Sequence, residues 1–371
     1  MQKIQDNIFD FLKKLVAIPS YRGDEQNIAH FISSLAKERV PGHNVCVQEY
    51  SRKGRNVFVF SKTPLVLIDA HLDTIPPGNL SYWKYPPLSL TEKGHGFFGL
   101  GCVDNKAGIS ICLALMNEMD CSDVSFSFCG GEEIDARGLR YAISKGILKQ
   151  NIPLAIVMEP TQLRICRAHK GAAMAKIKFS GVSAHAAVSD AGDNAIEKAV
   201  EYIIRLKKVF PQFKKKDSLL GESSYSVNII RGGAVANCVP DNCEIIIDFR
   251  YLPGQDANDI KNVLIRAAAG KENDIRIELK NVVPPMRFQG PQKILDVLVD
   301  SSGSSEAGMS YWAHSGLLAT QGISSVVFGP GDITHAHKPN EWVEKKDVLE
   351  AYESLKRIII GLRKKAPYSL P

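Results

Sequence analysis

The sequence predicts an α/β protein in which helices cover a mostly parallel sheet, with a second, α+β domain inserted into the first. Three observations predict this class. Apolar segments of strand length alternate with segments of helical periodicity up to residue 172. The order then becomes β-α-β-β-α-β, and the 371 residues exceed the usual size of one hydrophobic core. We therefore expect a discontinuous first domain (residues 1–172 and 283–371) and an inserted second domain (173–282).

The first domain is predicted to begin with two amphipathic helices and two strands, at residues 4–18, 26–38, 45–49 and 56–60. The segment Leu65–Ala70 is then mostly apolar, which is typical of a buried strand. His71 and Asp73 follow it, two residues apart and therefore on one side of an extended chain. We expect the Asp73 carboxylate to orient the His71 imidazole. The alternative is a surface pair that flanks a turn into Pro76–Pro77.

Acidic residues follow the next two predicted strands. The strands are residues 124–129 and 154–158, and Glu132–Glu133 and Glu159 come directly after them. Asp104 lies at or just before a predicted helix, where the alternative role is that of an N-cap. Binding sites in open parallel sheets form beyond the carboxyl ends of the strands. We therefore expect these carboxylates to converge with His71.

The second domain is predicted from a new order of elements. Strands at 173–179, 225–230, 244–249 and 275–279 alternate with helices at 193–210 and 258–269. This β-α-β-β-α-β order is the ferredoxin-like arrangement. The first domain is expected to resume near residue 284, with helices at 293–301, 312–320 and 345–362 and a strand at 325–328.

Composition restricts the class of protein. The net charge is +6, but the basic residues are spread out, and the dense run at 207–216 fits the end of a helix better than a nucleic-acid site. No apolar run has the length of a membrane span, and the polar N-terminus lacks the pattern of a signal peptide. We expect a cytoplasmic protein, with no nucleic-acid or membrane partner, whose eight scattered cysteines are reduced.

Six residues mix imidazole and carboxylate groups without a thiolate: His71, Asp104, Glu132, Glu133, Glu159 and His337. That set suits zinc, manganese or cobalt. Several carboxylates at one sheet edge would repel one another, and bound dications would remove that cost. The alternative is that each carboxylate is separately solvated or paired with a lysine such as Lys106. Because adjacent residues leave a turn in different directions, one of Glu132 and Glu133 can bind metal while the other acts as a base.

Seven segments in a fixed order resemble a known family: HLDT, GLGCVDNKAG, GGEE, MEP, SGVSAHAA, ANCVPDNCEIIIDFR and VVFGPGDITHAHKPNEWV. They are similar to those of the M20 metallopeptidases, a group that includes acetylornithine deacetylases, succinyl-diaminopimelate desuccinylases and carboxypeptidases. The resemblance covers nearly the whole chain. It implies a catalytic domain of the zinc-exopeptidase type and an inserted domain that acts as a lid and in dimerisation.

The resemblance also implies a role for each candidate residue. The ligands would be His71 and Glu159 for one zinc, Glu133 and His337 for the second, and Asp104 as the bridge between them. His335 is the alternative to His337. Glu132 would be the general base, acting on a water that the two metals activate, and Asp73 would support His71.

Residues of the inserted domain are implied to contact the substrate. His185 resembles a histidine that crosses from a partner subunit to stabilise the oxyanion, and without the motif it would be a surface loop histidine. Asn237 and Arg250 resemble residues that hold the carboxylate of the substrate. For Arg250 the alternative is a salt bridge at a strand end. His314 stands where acetylornithine deacetylases often carry an acid, which leaves the substrate side chain open.

The expected function is hydrolysis of the amide bond of a small N-acyl amino acid by a homodimer with two Zn²⁺, or Co²⁺ or Mn²⁺ in their place. The alternative on the same scaffold is an aminopeptidase, dipeptidase or carboxypeptidase. A free α-amino group would need an acidic anchor, and no motif in the sequence clearly provides one. A different class, a metal-binding or scaffolding protein with a degenerate site, is disfavoured because Glu132 and all five ligand positions are present.

Overall fold

The computed structural model of the chain describes residues 2–148, 151–270 and 274–365. The helices within these residues are α1 (Gln2–Ala17), α2 (Gln26–Arg39), α3 (Ala107–Glu118), α4 (Glu132–Asp135), α5 (Arg137–Ser144), α6 (Ala195–Val209), α7 (Ala257–Ala268), α8 (Gln292–Ser302), α9 (Ser315–Ala319) and α10 (Lys345–Lys365). No helix in this part of the chain is both long enough and apolar enough to cross a lipid bilayer.

The strands that the same residues form are β1 (Asn44–Glu49), β2 (Arg55–Phe60), β3 (Val66–His71), β4 (Thr91–Lys93), β5 (Gly96–Phe98), β6 (Val124–Cys129), β7 (Leu154–Val157), β8 (Ile165–His169), β9 (Gly171–Ser180), β10 (Ala184–His185), β11 (Lys216–Asp217), β12 (Gly221–Glu222), β13 (Ser224–Gly232), β14 (Cys238–Val239), β15 (Asn242–Tyr251), β16 (Ile275–Val283), β17 (Met286–Arg287), β18 (Glu306–Met309), β19 (Ser324–Val327) and β20 (Trp342–Glu344).

The chain divides into two compact units. The first comprises Met1–Ala168, Met286–Met309 and Ala313–Pro371, and the second comprises His169–Pro285 together with Ser310–Trp312. Each unit has its own apolar core.

The first unit is built on a sheet with the strand order β1-β2-β6-β3-β7-β19-β8-β17, from which β18 branches by pairing with β8. Its centre is parallel, since β3 pairs in parallel with β6 and β7, and β7 pairs in parallel with β19. The outer pairs β1–β2 and β8–β19 are antiparallel. The parallel register sets His71 opposite Cys129, so the residues that follow β3 and β6 leave the sheet at one edge.

Side-chain alternation along the central strands explains how the sheet is covered. Ile68 and Ala70 of β3 join the large core cluster, together with apolar side chains of α1, α2, α3, α8 and α10. Asp69 and His71 alternate with them and point to the opposite face. Helices α5 and α9 contact the sheet outside that cluster, against β2 and against β7 and β19 respectively. The predicted α/β class, with helices on both faces of a largely parallel sheet, is confirmed.

The second unit is a four-stranded antiparallel sheet in the order β13-β15-β9-β16. Helices α6 and α7 share a core with one face of this sheet, through Tyr202, Leu206 and Leu264 among others. Since α6 follows β9 and α7 follows β15, the connectivity is the β-α-β-β-α-β order expected from the sequence.

Two local features differ from the sequence prediction. The helix expected at 312–320 is only the short α9, because Ser310–Trp312 belong to the second unit and the chain turns helical after them. A small sheet in the order β20-β5-β4 was not expected. It pairs Trp342 with Phe98 and thereby fixes the segment just after His337.

Candidate metal centre

Three ligand-type side chains of the first unit meet at the carboxyl edge of the parallel sheet. His71 ends β3, Glu159 follows β7, and Asp104 lies in the distorted turn Cys102–Lys106 that precedes α3. The His71 Nε2 atom lies 2.7 Å from Asp104 Oδ1 and 3.9 Å from Glu159 Oε1. Asp104 is not the helix cap, since Lys106 occupies that position. The Asp104–Asn105 peptide bond is cis.

A second group of three contains Asp104 again, together with Glu133 and His337. The His337 Nε2 atom lies 2.8 Å from Glu133 Oε1 and 3.3 Å from Asp104 Oδ2. Glu133 is in the first turn of α4, and His337 stands at a positive φ of 59° after a short 3₁₀ turn. The ring of His335, the alternative ligand, instead packs on Trp342 at 4.4 Å between ring centres.

Asp104 is therefore common to both groups. One carboxylate oxygen faces His71 and the other faces His337. In each group, one ligand atom from every residue lies within 4.8 Å of the others. A carboxylate that presents one oxygen to each of two neighbouring donor sets has the geometry of a bridging ligand.

The Asp73 carboxylate lies near His71, as predicted, but its hydrogen bonds go to another part of the site. Its carboxylate Oδ1 is 3.8 Å from His71 Nδ1, whereas the Asp73 backbone carbonyl oxygen accepts from Nδ1 at 2.9 Å. The carboxylate instead accepts the backbone N–H groups of Glu132 (2.9 Å) and Glu133 (3.1 Å). A helix start attracts a carboxylate because its first N–H groups lack helical partners. A carbonyl partner still fixes the proton on Nδ1, and Nε2 keeps its lone pair for a ligand.

Glu132 is buried beside both groups and is 8% exposed. Burial raises the pKa of its carboxyl group well above the ordinary value. His71 opposes this shift, and the negative charges of Glu159, Glu133 and Asp104 add to it. Burial likewise raises the pKa values of Glu159 and Glu133. The protein thus concentrates carboxyl groups where their ionised forms are unfavourable without a compensating positive charge.

The two histidines behave in the opposite sense. Burial lowers the pKa of His71, but the hydrogen bond to Asp104 and the surrounding carboxylates outweigh it and raise the pKa well above its usual range. Hydrogen bonds to Asp104 and Glu133 raise the pKa of His337 to about 10. For Asp104, burial raises the pKa, but the contacts with His337 and His71 hold it below its usual value. The cluster therefore attracts positive charge.

The donor set fits a pair of divalent cations. Each group offers one imidazole nitrogen and carboxylate oxygens, a mixture typical of zinc, manganese and cobalt sites. The alternative partner, Lys106, is almost fully buried, and its ammonium group donates to the carbonyl of Ile18 at 2.9 Å. Within the described ranges, Lys106 forms no ion pair with these carboxylates.

Sequence reasoning missed two buried residues that hold the site's loops. The Asn56 side chain accepts the N–H of Gly130 at 3.0 Å and donates to the carbonyl of Gly138 at 2.8 Å. Glu341 accepts backbone N–H groups of the loop that carries Asp104. The sequence signal for both residues is weak. Asn56 is a polar residue near the start of a buried strand, and Glu341 is an acid that precedes Trp342 and Val343.

Three predicted substrate residues lie in the second unit. His185, in β10, is exposed, and its Nδ1 accepts the N–H of Ala187 at 3.1 Å. The carbonyl of Asn237 accepts the N–H of Ala186, so His185 and Asn237 are neighbours. Arg250 is near the other end of β15 and pairs with Asp248 at 2.7 Å. That contact is the strand-end salt bridge considered as its alternative role.

His314, predicted to contact substrate, lies in the interior of the first unit. The residue is 1% exposed, and its Nδ1 is 2.8 Å from Asp69 Oδ2. Ser127 also donates to Asp69. A ring without accessible surface does not reach a bound substrate, so this burial argues against direct contact. The pairing with Asp69 gives the histidine a structural partner that the sequence pattern did not reveal.

Comparisons with known proteins agree with this fold. The family model for the peptidase dimerisation domain matches residues 167–274. The chain is 24% identical to a probable succinyl-diaminopimelate desuccinylase of Staphylococcus aureus (strain MRSA252), over 94% of this chain and 96% of the relative. It is 26% identical to an acetylornithine deacetylase of Klebsiella pneumoniae (strain 342), with the same coverage.

A solved structure supports the same assignment of the fold. The M20 family metallo-carboxypeptidase Sso-CP2 of Sulfolobus solfataricus superimposes with a TM-score of 0.80 and 17% identity, over 96% of this chain and 99% of that one. The matched dimerisation domain, the two full-length relatives and the shared fold agree with one another. In its dimerisation domain, in its relatives over nearly the whole length and in its fold, the chain is similar to the M20 family of metallopeptidases.

Proposed function

We propose that this M20 metallohydrolase cleaves the amide bond of an N-acyl amino acid, releasing a carboxylate and a free amino acid. The observation that carries the proposal is the pair of ligand groups that share Asp104 beside the buried carboxyl group of Glu132. His71, Asp104 and Glu159 would hold one divalent cation, and Asp104, Glu133 and His337 the other. Zinc is the proposed metal, with cobalt and manganese as alternatives.

The roles of the side chains follow from their positions. The bound ions would polarise the amide carbonyl and lower the pKa of a water molecule. Glu132 would accept the proton of that water and return it to the departing amine. Its backbone N–H is held by Asp73, so the residue that fixes the α4 turn also fixes the base. The two positive charges would stabilise the ionised form of Glu132 that this step requires.

The second unit is proposed as a lid and dimerisation domain that completes the site. His185 and Asn237 lie next to the Asn242 end of β15, since Gly181 donates to the carbonyl of Asp241. Eight residues of extended strand separate Asn242 from Arg250, which corresponds to about 26 Å. One copy of this unit therefore does not present all three to one small molecule. In a homodimer, Arg250 of one protomer and His185 and Asn237 of the other would do so.

Deacylation is proposed ahead of peptide hydrolysis because the two full-length relatives carry the names of an N-acetyl and an N-succinyl amino acid hydrolase. Peptidase activity on the same scaffold is the alternative. A hydrolysis screen tests the proposal directly. Protein stripped of metal and reloaded with Zn²⁺ or Co²⁺ is assayed for amine release from N-acetyl, N-succinyl and N-formyl amino acids and from simple dipeptides.

We expect metal-dependent turnover of at least one acylated amino acid and weaker activity on the dipeptides. Preferential turnover of the dipeptides would establish the peptidase alternative instead. No hydrolysis of either class by protein that carries two equivalents of metal would contradict both.

A further inference from the structure

Glu341 is a buried carboxylate that touches none of the proposed ligand side chains. It is 2% exposed and directly precedes β20. Within the described residues, no lysine, arginine or histidine side chain pairs with it at 4.0 Å or less. Buried polar oxygens without such a partner are normally satisfied by hydrogen bonds.

The partners of Glu341 are three backbone N–H groups of one loop. Its Oε2 accepts from Gly101 at 2.8 Å, and its Oε1 accepts from Val103 at 3.0 Å and from Asp104 at 3.2 Å. These N–H groups begin the distorted turn Cys102–Lys106, in which Asp104 has φ −126° and ψ 87°. The turn lacks a regular helical bonding pattern at that point, so its conformation depends on this side chain.

Glu341 and its neighbour Asn340 also contact the segment that leads into this turn. The carbonyl of Glu341 accepts the N–H of Gly99 at 3.0 Å. The Asn340 side chain accepts the N–H of Lys84 at 2.6 Å and donates to the carbonyl of Tyr82 at 3.1 Å. His337 lies four residues before Glu341. The segment that carries one proposed ligand is thus fixed onto the turn that carries the proposed bridging ligand and onto the chain before that turn.

We infer that Glu341 is a positioning residue that sets the bridging carboxylate Asp104, and its distance from His337, before any metal binds. This inference rests on the proposed metal centre. The loop that carries Asp104 is then already ordered in the metal-free protein, and the order of this loop depends on Glu341. A residue of general structural importance would support the fold without favouring metal binding in particular.

Metal affinity separates these two roles. Metal-free wild type, Glu341→Gln, Glu344→Gln and Val348→Ala are titrated with Co²⁺ by calorimetry and visible absorption. Glu344 is exposed on β20, and Val348 is buried in α10, so they control for charge and for lost stability. In Glu341→Gln, an amide N–H₂ faces the N–H of Gly101, and we expect Co²⁺ affinity to fall by about 10-fold to 100-fold. Both controls should retain wild-type affinity.

A Glu341→Gln protein whose Co²⁺ affinity stays within about twofold of wild type overturns the inference while the proposed metal centre stands, since outer partners of metal ligands usually change affinity by more than that. An equal loss of Co²⁺ affinity in Val348→Ala also overturns the inference, because lost stability alone would then explain the effect of Glu341→Gln. Wild type that binds no Co²⁺ overturns the proposed function as well.

Hydrogen exchange in wild type tests the inference even if the variant does not fold. Peptides that cover residues 99–106 are followed by mass spectrometry in metal-free and Co²⁺-loaded protein. We expect slow exchange at Gly101, Val103 and Asp104 already without metal. Protection that arises only after Co²⁺ is added would mean that the metal, and not Glu341, orders the loop, and this would overturn the inference.

Discussion

At the scale of single residues, the main feature of the site is the number of acidic side chains that it buries. Asp104, Glu132 and Glu159 are each less than 9% exposed, and two of their carboxyl groups have pKa values raised by burial. Proteins rarely bury several acids unless something pairs with them. Two histidines supply part of the positive charge, through hydrogen bonds to Asp104 and Glu133. The negative charge that the histidines leave uncompensated is the electrostatic reason to expect bound cations.

Glu132→Gln separates base chemistry from metal binding. The amide cannot accept the proton of the attacking water, so turnover of the best acylated amino acid should fall by about 100-fold to 10,000-fold. The five proposed ligands are untouched, so the metal content measured by mass spectrometry should remain at two equivalents. Exposed Glu38→Gln is the control. Full activity in Glu132→Gln would remove this residue from the mechanism.

Glu25 is a buried carboxyl group outside the ligand set. It is 0% exposed, accepts from Tyr50 at 2.7 Å and lies against Gly130. Burial raises its pKa to about 7, and the charge of Asp73 adds to the shift. Because the folded-state pKa is above the unfolded value near 4.5, the folded protein holds this proton longer. Stability from this group is therefore full below about pH 4.5 and is lost as the pH rises to about 7.

Glu25→Gln removes that titration. The difference in unfolding free energy between wild type and variant should change by on the order of 3 kcal/mol between pH 4.5 and pH 7.5. Wild type becomes less stable relative to the variant as the pH rises. Urea denaturation at several pH values measures it. The exposed Glu38→Gln variant, on α2, should follow the wild-type curve in parallel. A constant difference between wild type and Glu25→Gln would contradict the assignment.

At the scale of elements, the site depends on the turn between β6 and α4. Asp73 holds the far side of this turn through Glu132 and Glu133, and Asn56 of β2 holds the near side through Gly130. The space there is tight, since a Cβ on Gly138 would lie 2.2 Å from the carbonyl oxygen of Gly130. The proposed general base is thus fixed by contacts from β2 and from the segment after β3, neither of which is adjacent to it in sequence.

Asn56→Ala tests this arrangement. The change leaves the N–H of Gly130 without its partner in the interior and removes a donor from the carbonyl of Gly138, and we expect the unfolding free energy to fall by about 2 kcal/mol. The matched control is Gln48→Ala, which removes a third partner of Asn56 at a half-buried position. Its cost should stay below about 1 kcal/mol. Equal losses in the two variants, measured by urea denaturation, would show that the buried contacts of Asn56 are not decisive.

These elements also indicate what the sequence predicts and what it omits. The strand Val124–Cys129 was predicted at its observed bounds, because a short apolar run before two glycines has few alternatives. The acids after each strand were also predicted, since topology alone places them at one edge. The contacts of Asn56, Asp73 and Glu341 were not. A side chain that accepts loop N–H groups leaves no periodic pattern, and its partners are as far as 240 residues away.

At the scale of the whole molecule, the question is whether one chain is sufficient. The proposed ligands and base lie in the first unit, whereas His185 and Asn237 lie in the second. The length of β15 keeps that pair away from Arg250 of the same unit. If both ends of β15 contribute to catalysis, they contribute to different sites. This is the symmetric exchange of residues that a two-fold dimer allows.

Mixing two inactive variants tests that exchange. His185→Ala leaves every site without the proposed oxyanion donor, and Glu132→Gln leaves every site without the proposed base, so each homodimer should have little activity. After the two are unfolded together, refolded and reloaded with metal, a mixed dimer would hold one site with both residues intact. If dimers assemble at random, about a quarter of wild-type activity should return. The two variants refolded separately and then combined are the control. Activity that stays at the level of the separate variants, in a preparation that sedimentation shows to be dimeric, would mean that His185 does not act on its partner's site.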